Sequence, residues 1–346
     1  MNFCHFPFKK AAAPLSFFRW VVSCSLHGKT PPERRPEKEE ARVNEWQDIP
    51  GAGRWDEVTP ILAGWSAERK YRVRTRAGED FLLRITGMEQ RPQKEVEYRR
   101  IRRFGELPFP LSRAVEMGEC QGGRSLYMLL EWVEGESLET ALPRLAPDEQ
   151  YRLGREAGQF LRALHSLPLS PGEGAEDLIG RRLDKLARYE QGSARVEGDQ
   201  AALALVKAQL PLLAARPAVY LHGDFHLGNL IFTPQGRVGI IDFNRQRIGD
   251  GWEEFRMVQA FDVPVSIPFS VGQVQGYWQG EPPEPFWQAL AAYVAYNSLG
   301  AVEWAEAFGP AKVADMQARC RSALADYDGF AQPVPRWYRE WKGLPA

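Results

Sequence analysis

The sequence has little cysteine and little histidine, no long apolar run and no surplus of either charge. Four cysteines, Cys4, Cys24, Cys120 and Cys320, are scattered over 346 residues with no CxxC pair. That spacing excludes a cysteine-rich zinc site and a disulfide framework, and it fits a reducing, cytoplasmic setting. No stretch reaches the roughly 18 consecutive apolar residues that a membrane-spanning helix needs. A formal net charge of −1 removes the basic surplus on which nucleic-acid and anionic-membrane binders depend. Internal repeats and low-complexity blocks are absent from the globular part.

What remains is an ordinary globular composition, 44% hydrophobic and 26% charged, long enough for one large or two moderate domains. The first 45 residues stand apart. Lys9 and Lys10 before "AAAPLSFFRWVVSCSL" imitate a signal peptide, and "VVSC" imitates a lipoprotein cleavage site. Arg19 interrupts that apolar run, and "HGKTPPERRPEKEEAR" after it reads as disordered. "KEEAR" followed by Val43 also fits a purine-rich ribosome-binding sequence read in frame, with Val43 as a GTG start and residues 1–42 not made in the cell.

From Trp55 to Ile85 the pattern is strand-like. "RKYRVRTRAGEDFLLRI" alternates polar and apolar residues on both sides of a turn near Gly78, which predicts a hairpin. "RPQKEVEYRRIRRFGEL" predicts a charged helix ending near Gly105 with Ile101 and Phe104 on one face, and "SLYMLLEWV" a buried strand. Helices follow: "DEQYRLGREAGQFLRALHSL" with Asp148 as N-cap, then "LIGRRLDKLARYEQ", "QAALALVKAQLPLLAA", "WEEFRMVQAFDV", "SVGQVQGYWQG" and "PEPFWQALAAYVAYNSLGAVEWAEAFG". The expected plan is α+β and two-lobed. It comprises a tail over 1–45, a small lobe over 46–133, a larger helical lobe over 134–335 and a terminal tail over 336–346.

Between the helices lies "YLHGDFHLGNLIFTPQGRVGIIDFNRQRIGD", where two apolar strands end in Asp224, Asn229 and Asp242. Carboxylates and amides at strand ends are poor core material and good ligands for a hard divalent ion beside a reacting hydroxyl. A zinc reading of His222 and His226 needs a third ligand, and His165 on an apolar helix is no obvious one.

"HGDFHLGN" with "IIDF" and the trailing "GD" resembles the catalytic and metal-binding segments of the aminoglycoside phosphotransferase family, the choline-kinase-like relatives of protein kinases. The resemblance spans most of residues 55–330 and implies a protein-kinase-like fold, with an antiparallel sheet and one helix in the small lobe. It implies that Asp224 orients the acceptor hydroxyl and accepts its proton, that Asn229 and Asp242 hold Mg²⁺, and that His222 and Asp250 brace the site. Arg84 stands where the family usually carries Lys, which implies a contact with the α- and β-phosphates, and Glu97 rather than Glu95 is its expected partner. "LAGWSAERKY" replaces the glycine-rich loop without GxGxxG, leaving Ser66 and neighbouring amides as phosphate contacts. "LLEWVEG" resembles the hinge, with the Glu131 carbonyl and Val133 amide facing adenine.

The implied activity is transfer of the γ-phosphate of ATP or GTP to a hydroxyl of a small molecule, an aminoglycoside-like or other antibiotic. A metabolic kinase of the choline, homoserine or sugar type is one alternative. A non-catalytic nucleotide-binding regulator is another, supported by the Arg at the lysine position and the missing glycine loop. Glu254, Glu303, Glu306 and Asp315 are the acidic candidates for acceptor binding, with Glu253 and Asp262 behind them. Trp252, Phe255, Trp278, Tyr293 and Trp304 either line the acceptor cleft or, as their helical spacing favours, pack the core. Neither nucleic acid nor membrane is an expected partner, and the chain is expected to be a monomer or dimer.

Overall fold

The computed structural model describes residues 45–62, 68–175 and 178–343. Its first lobe is an antiparallel sheet in the order β1-β2-β3-β5-β4. The strands are β1 (Trp55–Pro60), β2 (Arg69–Thr75), β3 (Asp80–Gly87), β4 (Ala114–Cys120) and β5 (Ser125–Glu131). The two-residue periodicity sorts the faces. Tyr71, Val73, Leu83 and Ile85 are buried on one side with Tyr127 and Leu129. Lys70 and Arg84, register partners across the β2–β3 hairpin, fall on the other. Gly78 turns that hairpin at φ +84°, a left-handed conformation that glycine adopts without penalty.

Helix α1 (Arg91–Phe104) buries Lys94, Glu97, Ile101 and Phe104, one stripe at spacings of three and four. The stripe is charged at its start and apolar at its end, so the helix serves two environments. Phe104 packs edge-on to Tyr220 at 5.4 Å and against Phe243 at 5.6 Å, both in the second lobe. Arg100 adds bonds to Glu173 at 2.7 Å and Gln246 at 2.8 Å. These contacts tie the helix to the second lobe as well as to its own sheet.

The second lobe begins with β6 (Glu136–Ser137) and α2 (Leu138–Ala141), followed by α3 (Pro147–His165), α4 (Ile179–Gln191) and α5 (Gln200–Leu213). The strands β7 (Ala218–Leu221), β8 (Leu230–Phe232), β9 (Val238–Ile240) and β10 (Arg247–Asp250) come next. The helices α6 (Ile267–Trp278), α7 (Glu284–Ala305), α8 (Pro310–Asp326) and α9 (Arg336–Arg339) complete it. Helices α3 and α6 touch through reciprocal glycines. A Cβ on Gly158 would stand 2.0 Å from the Gln273 carbonyl oxygen, and one on Gly272 2.3 Å from that of Tyr151. Gly154 and Gly276 are equally close to the facing backbone. Two small-xxx-small pairs, "GREAG" and "GQVQG", thus let the backbones meet.

Three expectations need correction. Helix α3 starts at Pro147 with Ala146 at its N-cap, because proline presets φ at the first helical position; Asp148 falls inside the first turn. "WEEFRMVQAFDV" is not a regular helix. It forms a 3₁₀ turn over Gly251–Phe255 and a π turn over Val258–Asp262, because the adjacent carboxylates of Glu253 and Glu254 reach different partners. The segment after 335 is not a free tail: Trp337 is buried and donates to Gln259 at 2.9 Å. Among the described residues, no helix is long and apolar enough to cross a membrane.

Candidate active site

Strand β7 delivers the chain into the loop His222–Asn229, and β8 returns from it antiparallel to β9, with Leu230 opposite Ile240. One step beyond that pair, the Ile241 amide donates to the Asn229 carbonyl at 3.1 Å. Asn229 and Asp242 therefore leave the same end of the ladder. The Asn229 side-chain amide donates to the Asp224 carbonyl at 2.8 Å and lies 3.3 Å from Asp224 Oδ2, bringing the third residue to the same place. Asp242 has φ +64°, a left-handed conformation that aspartate tolerates better than most side chains. Gly223 has φ +84°, and a Cβ there would stand 2.0 Å from the Arg245 carbonyl oxygen. Glycine in "HGD" is a steric requirement of the loop meeting the "DFNR" segment.

Buried groups hold the loop from behind. Glu254, fully buried, accepts from the His222 and Gly223 amides, each at 2.9 Å. His222 Nδ1 accepts the Asp224 amide at 3.3 Å, so its proton sits on Nε2 and donates to the Ile241 carbonyl at 3.0 Å. That ring ties the Asp224 segment to the Asp242 segment. Asp250 caps the 3₁₀ turn carrying Glu254 through the Trp252 amide at 3.1 Å, and it accepts from Arg216 at 2.7 Å and Tyr293 at 2.9 Å. Burial raises the Asp250 carboxyl against the pull of those partners. Asp250 thus supports the loop from behind, through the turn that carries Glu254.

His226 is 2% exposed and stacks on Phe261 at 4.6 Å. Burial lowers its pKa against the attraction of Asp224, so the ring is neutral. Its Nδ1 accepts the Gly228 amide at 3.1 Å, and its Nε2 lies 3.7 Å from Asp224 Oδ1. Asp262, also fully buried and raised by that burial, accepts the Leu227 amide at 3.1 Å. Arg245 stands 3.6 Å from Asp224 Oδ2.

In the first lobe Arg84 is almost wholly buried. Its Nη1 donates to Glu97 at 2.6 Å, and its Nε and Nη2 donate to Glu68 at 2.8 and 2.5 Å. Lys94 bonds Glu97 at 2.5 Å and also Glu68. Burial opposes the charge on Arg84, but Glu97, Glu68 and Asp242 outweigh it and hold the guanidinium protonated. Burial likewise opposes the Glu68 carboxylate, and Arg84 with Lys94 still brings it well below the usual range. Glu95, in contrast, is exposed beside Arg91. Across the cleft, Lys70 Nζ reaches Asp242 Oδ2 at 3.4 Å.

The Glu131 carbonyl ends β5 and accepts from Ser112 at 2.9 Å. Val133 follows in the linker against Gly239 of β9. Ser66 lies outside the described residues. The acidic candidates for acceptor binding are not gathered at the cleft. Glu254 is corrected outright, because it is sealed behind the loop and both of its oxygens are engaged there. Glu303 pairs with Arg188 at 2.6 Å and Lys185 at 3.8 Å, both on α4, and Glu306 lies exposed beside Gly192 just beyond that helix. Glu253, sealed among Arg182, Arg247 and Arg256, and Asp262 are likewise structural. Phe255 and Phe286 are buried in the core, half-buried Trp252 and Trp278 pack against Phe286 from its edge, and Trp304 packs on Phe308.

Sequence reading missed Lys70, Glu68 and Arg245. Only Arg245, three residues after Asp242, had a positional signal. Among the described residues, no three or more His, Cys, Asp and Glu side chains form a metal cage. The Asn229 nitrogen is the donor in its bonds to Asp224, which leaves the amide oxygen as an acceptor. An amide oxygen and one carboxylate suit a hard cation that takes its remaining ligands from phosphate and water.

No curated protein matches the sequence significantly. Solved structures share the fold. One is an aminoglycoside 2'-phosphotransferase-IIIa mutant in complex with GDP, with a TM-score of 0.61 at 17% identity, covering 82% of this chain and 95% of that one. A thermostable aminoglycoside phosphotransferase APH(4)-Ia mutant with AMP-PNP and hygromycin B gives 0.59 at 18%, covering 83% and 97%. An amicoumacin kinase with AMP-PNP, Ca²⁺ and its ligand gives 0.59 at 16%, covering 86% and 96%. The phosphotransferase enzyme family model matches residues 57–293, well over half the chain. On that match the chain belongs to the phosphotransferase enzyme family and is a phosphotransferase with an alcohol group as acceptor.

Proposed function

We propose that this protein transfers the γ-phosphate of ATP or GTP to a hydroxyl of a small, weakly charged molecule of the antibiotic type. The observation that carries this reading is the convergence of Asp224, Asn229 and Asp242 at one end of the β8–β9 ladder. In this reading Asp224 orients the acceptor hydroxyl and takes its proton as the bond to phosphorus forms. His226 and Arg245 flank that carboxylate. Asn229 and Asp242 hold Mg²⁺, which when bound neutralises charge on the β- and γ-phosphates. Glu254 and His222 keep the loop in register, and Asp250 keeps Glu254 in place. The Glu131 carbonyl and Val133 amide take the adenine edge.

The acceptor class follows from charge. A polycationic acceptor calls for unpaired carboxylates at the cleft, yet Glu253 and Glu303 are paired with arginine or lysine, Glu254 is occupied by backbone amides, Asp315 is paired with Lys312 and Arg319, and Glu306 lies beside Gly192 beyond α4. This favours an acceptor of low positive charge over a typical aminoglycoside. Incubating the protein with Mg-ATP or Mg-GTP and a panel of hydroxylated antibiotics, amino alcohols and sugars, read by mass spectrometry, tests both points. Gain of one phosphate by a neutral or monocationic compound, absent in Asp224→Asn, is the expected result. Transfer only to polycations refutes the acceptor class, and transfer undiminished in Asp224→Asn refutes the assignment of that residue.

A further inference from the structure

We propose that Lys70 on β2, and not Arg84 on β3, is the side chain that grips the nucleotide's phosphates. The inference rests on the kinase reading above. A phosphate-binding cation needs unsatisfied positive charge facing the cleft. Arg84 has little to offer, since two carboxylates, Glu97 and Glu68, engage three of its five N–H donors at 2.5–2.8 Å and its side chain is 4% exposed. Lys94 closes the same cluster, so two cations and two carboxylates balance. Turning Arg84 toward a phosphate would take one of two cations away from that buried pair of carboxylates and leave Lys94 alone to balance them.

Lys70 is the opposite case. It is the register partner of Arg84, so it shares the cleft-facing side of the sheet one strand nearer the edge. Among the described residues its single ion pair, to Asp242 Oδ2, is 3.4 Å long. Charge-assisted N–H···O bonds close at about 2.7–2.9 Å, so that contact is loose. The same carboxylate is the proposed cation ligand, so a metal-bound triphosphate there brings its oxygens within the sweep of the Lys70 ammonium. Three rotatable donors on a flexible stem suit that exchange of Asp242 for phosphate. Arg84 then acts as a positioning residue, fixing Glu97 and helix α1.

The test is calorimetric binding of Mg-AMP-PNP and of AMP to wild type, Lys70→Ala, Lys70→Arg and Arg84→Lys, with a melting curve for each. A hydrogen-bonded charge removed from a phosphate site costs roughly 10- to 150-fold in affinity. Lys70→Ala should lose that much for Mg-AMP-PNP with AMP binding and melting temperature unchanged, and Lys70→Arg should recover most of it. Arg84→Lys should lower the melting temperature while keeping the preference for Mg-AMP-PNP over AMP. Wild-type affinity for Mg-AMP-PNP in Lys70→Ala overturns this assignment alone. Wild type that binds no nucleotide overturns the kinase reading, and this one with it.

Discussion

Replacing Gly158 by alanine should destabilise the protein, although alanine is the better helix former. Gly158 lies inside α3, where Gly→Ala ordinarily gains about 1 kcal/mol of helix propensity. Here the new Cβ would stand 2.0 Å from the Gln273 carbonyl oxygen and 2.6 Å from the Tyr277 amide nitrogen, whereas real Cβ contacts begin near 3.0 Å. Both obstacles are backbone, so no rotamer relieves them, and α3 and α6 must part by about 1 Å, a separation that also weakens the dispersion contacts along the seam. Overpacking of this kind costs about 1–3 kcal/mol and occasionally more, and the rigid backbone puts this site at the upper end. The net loss is about 2 kcal/mol, a fall of roughly 3 °C in melting temperature for a chain of this size.

The control is Gly180 in α4, where an added Cβ meets nothing within 4 Å; alanine there should leave the melting temperature unchanged or raise it. Melting curves by calorimetry or circular dichroism decide the matter. A Gly158→Ala protein as stable as wild type would refute the claim that backbone contact fixes the α3–α6 spacing. The change should also reach the active site. Phe160, one half-turn on, stacks on Phe225 at 5.6 Å beside Asp224, so a displaced α3 should lower kcat in parallel with stability.

Asp224→Asn should fold like wild type and bind nucleotide, yet lose roughly 10²- to 10⁴-fold in turnover, as steady-state kinetics will register; retained turnover removes the residue from its role. Glu253→Gln should cost about 3–5 kcal/mol in a denaturant titration, because it strands Arg182, Arg247 and Arg256 around a buried neutral amide. His226 has a folded pKa below its ordinary 6.5, so below that pH the unfolded chain binds the extra proton first. Stability should fall with pH from about 6.5 downward, by at most about 1.4 kcal/mol per pH unit from this group. His226→Gln should flatten that slope in melts between pH 7.5 and 5.5, and an unchanged slope assigns the effect elsewhere.

The sequence by itself determined the two-lobed order of elements and the three oxygen-bearing residues at the strand ends. Those signals are local. Alternation in "RKYRVRT", helical spacing from Glu97 to Phe104 and the polar breaks in "HGDFHLGN" and "IIDF" are each set within a dozen residues by backbone geometry. The tertiary structure alone decided which charges are free. Glu254 looked like a cleft carboxylate and is the buried clamp of the loop; Glu303 is neutralised from α4. Lys70 carries no signal of its own in the sequence and meets Asp242 across 172 positions of chain. The reciprocal glycines of α3 and α6 are likewise unremarkable until the helices face each other. Desolvation and ion pairing depend on which distant surfaces are pressed together, and close packing supplies that information only after the chain has folded.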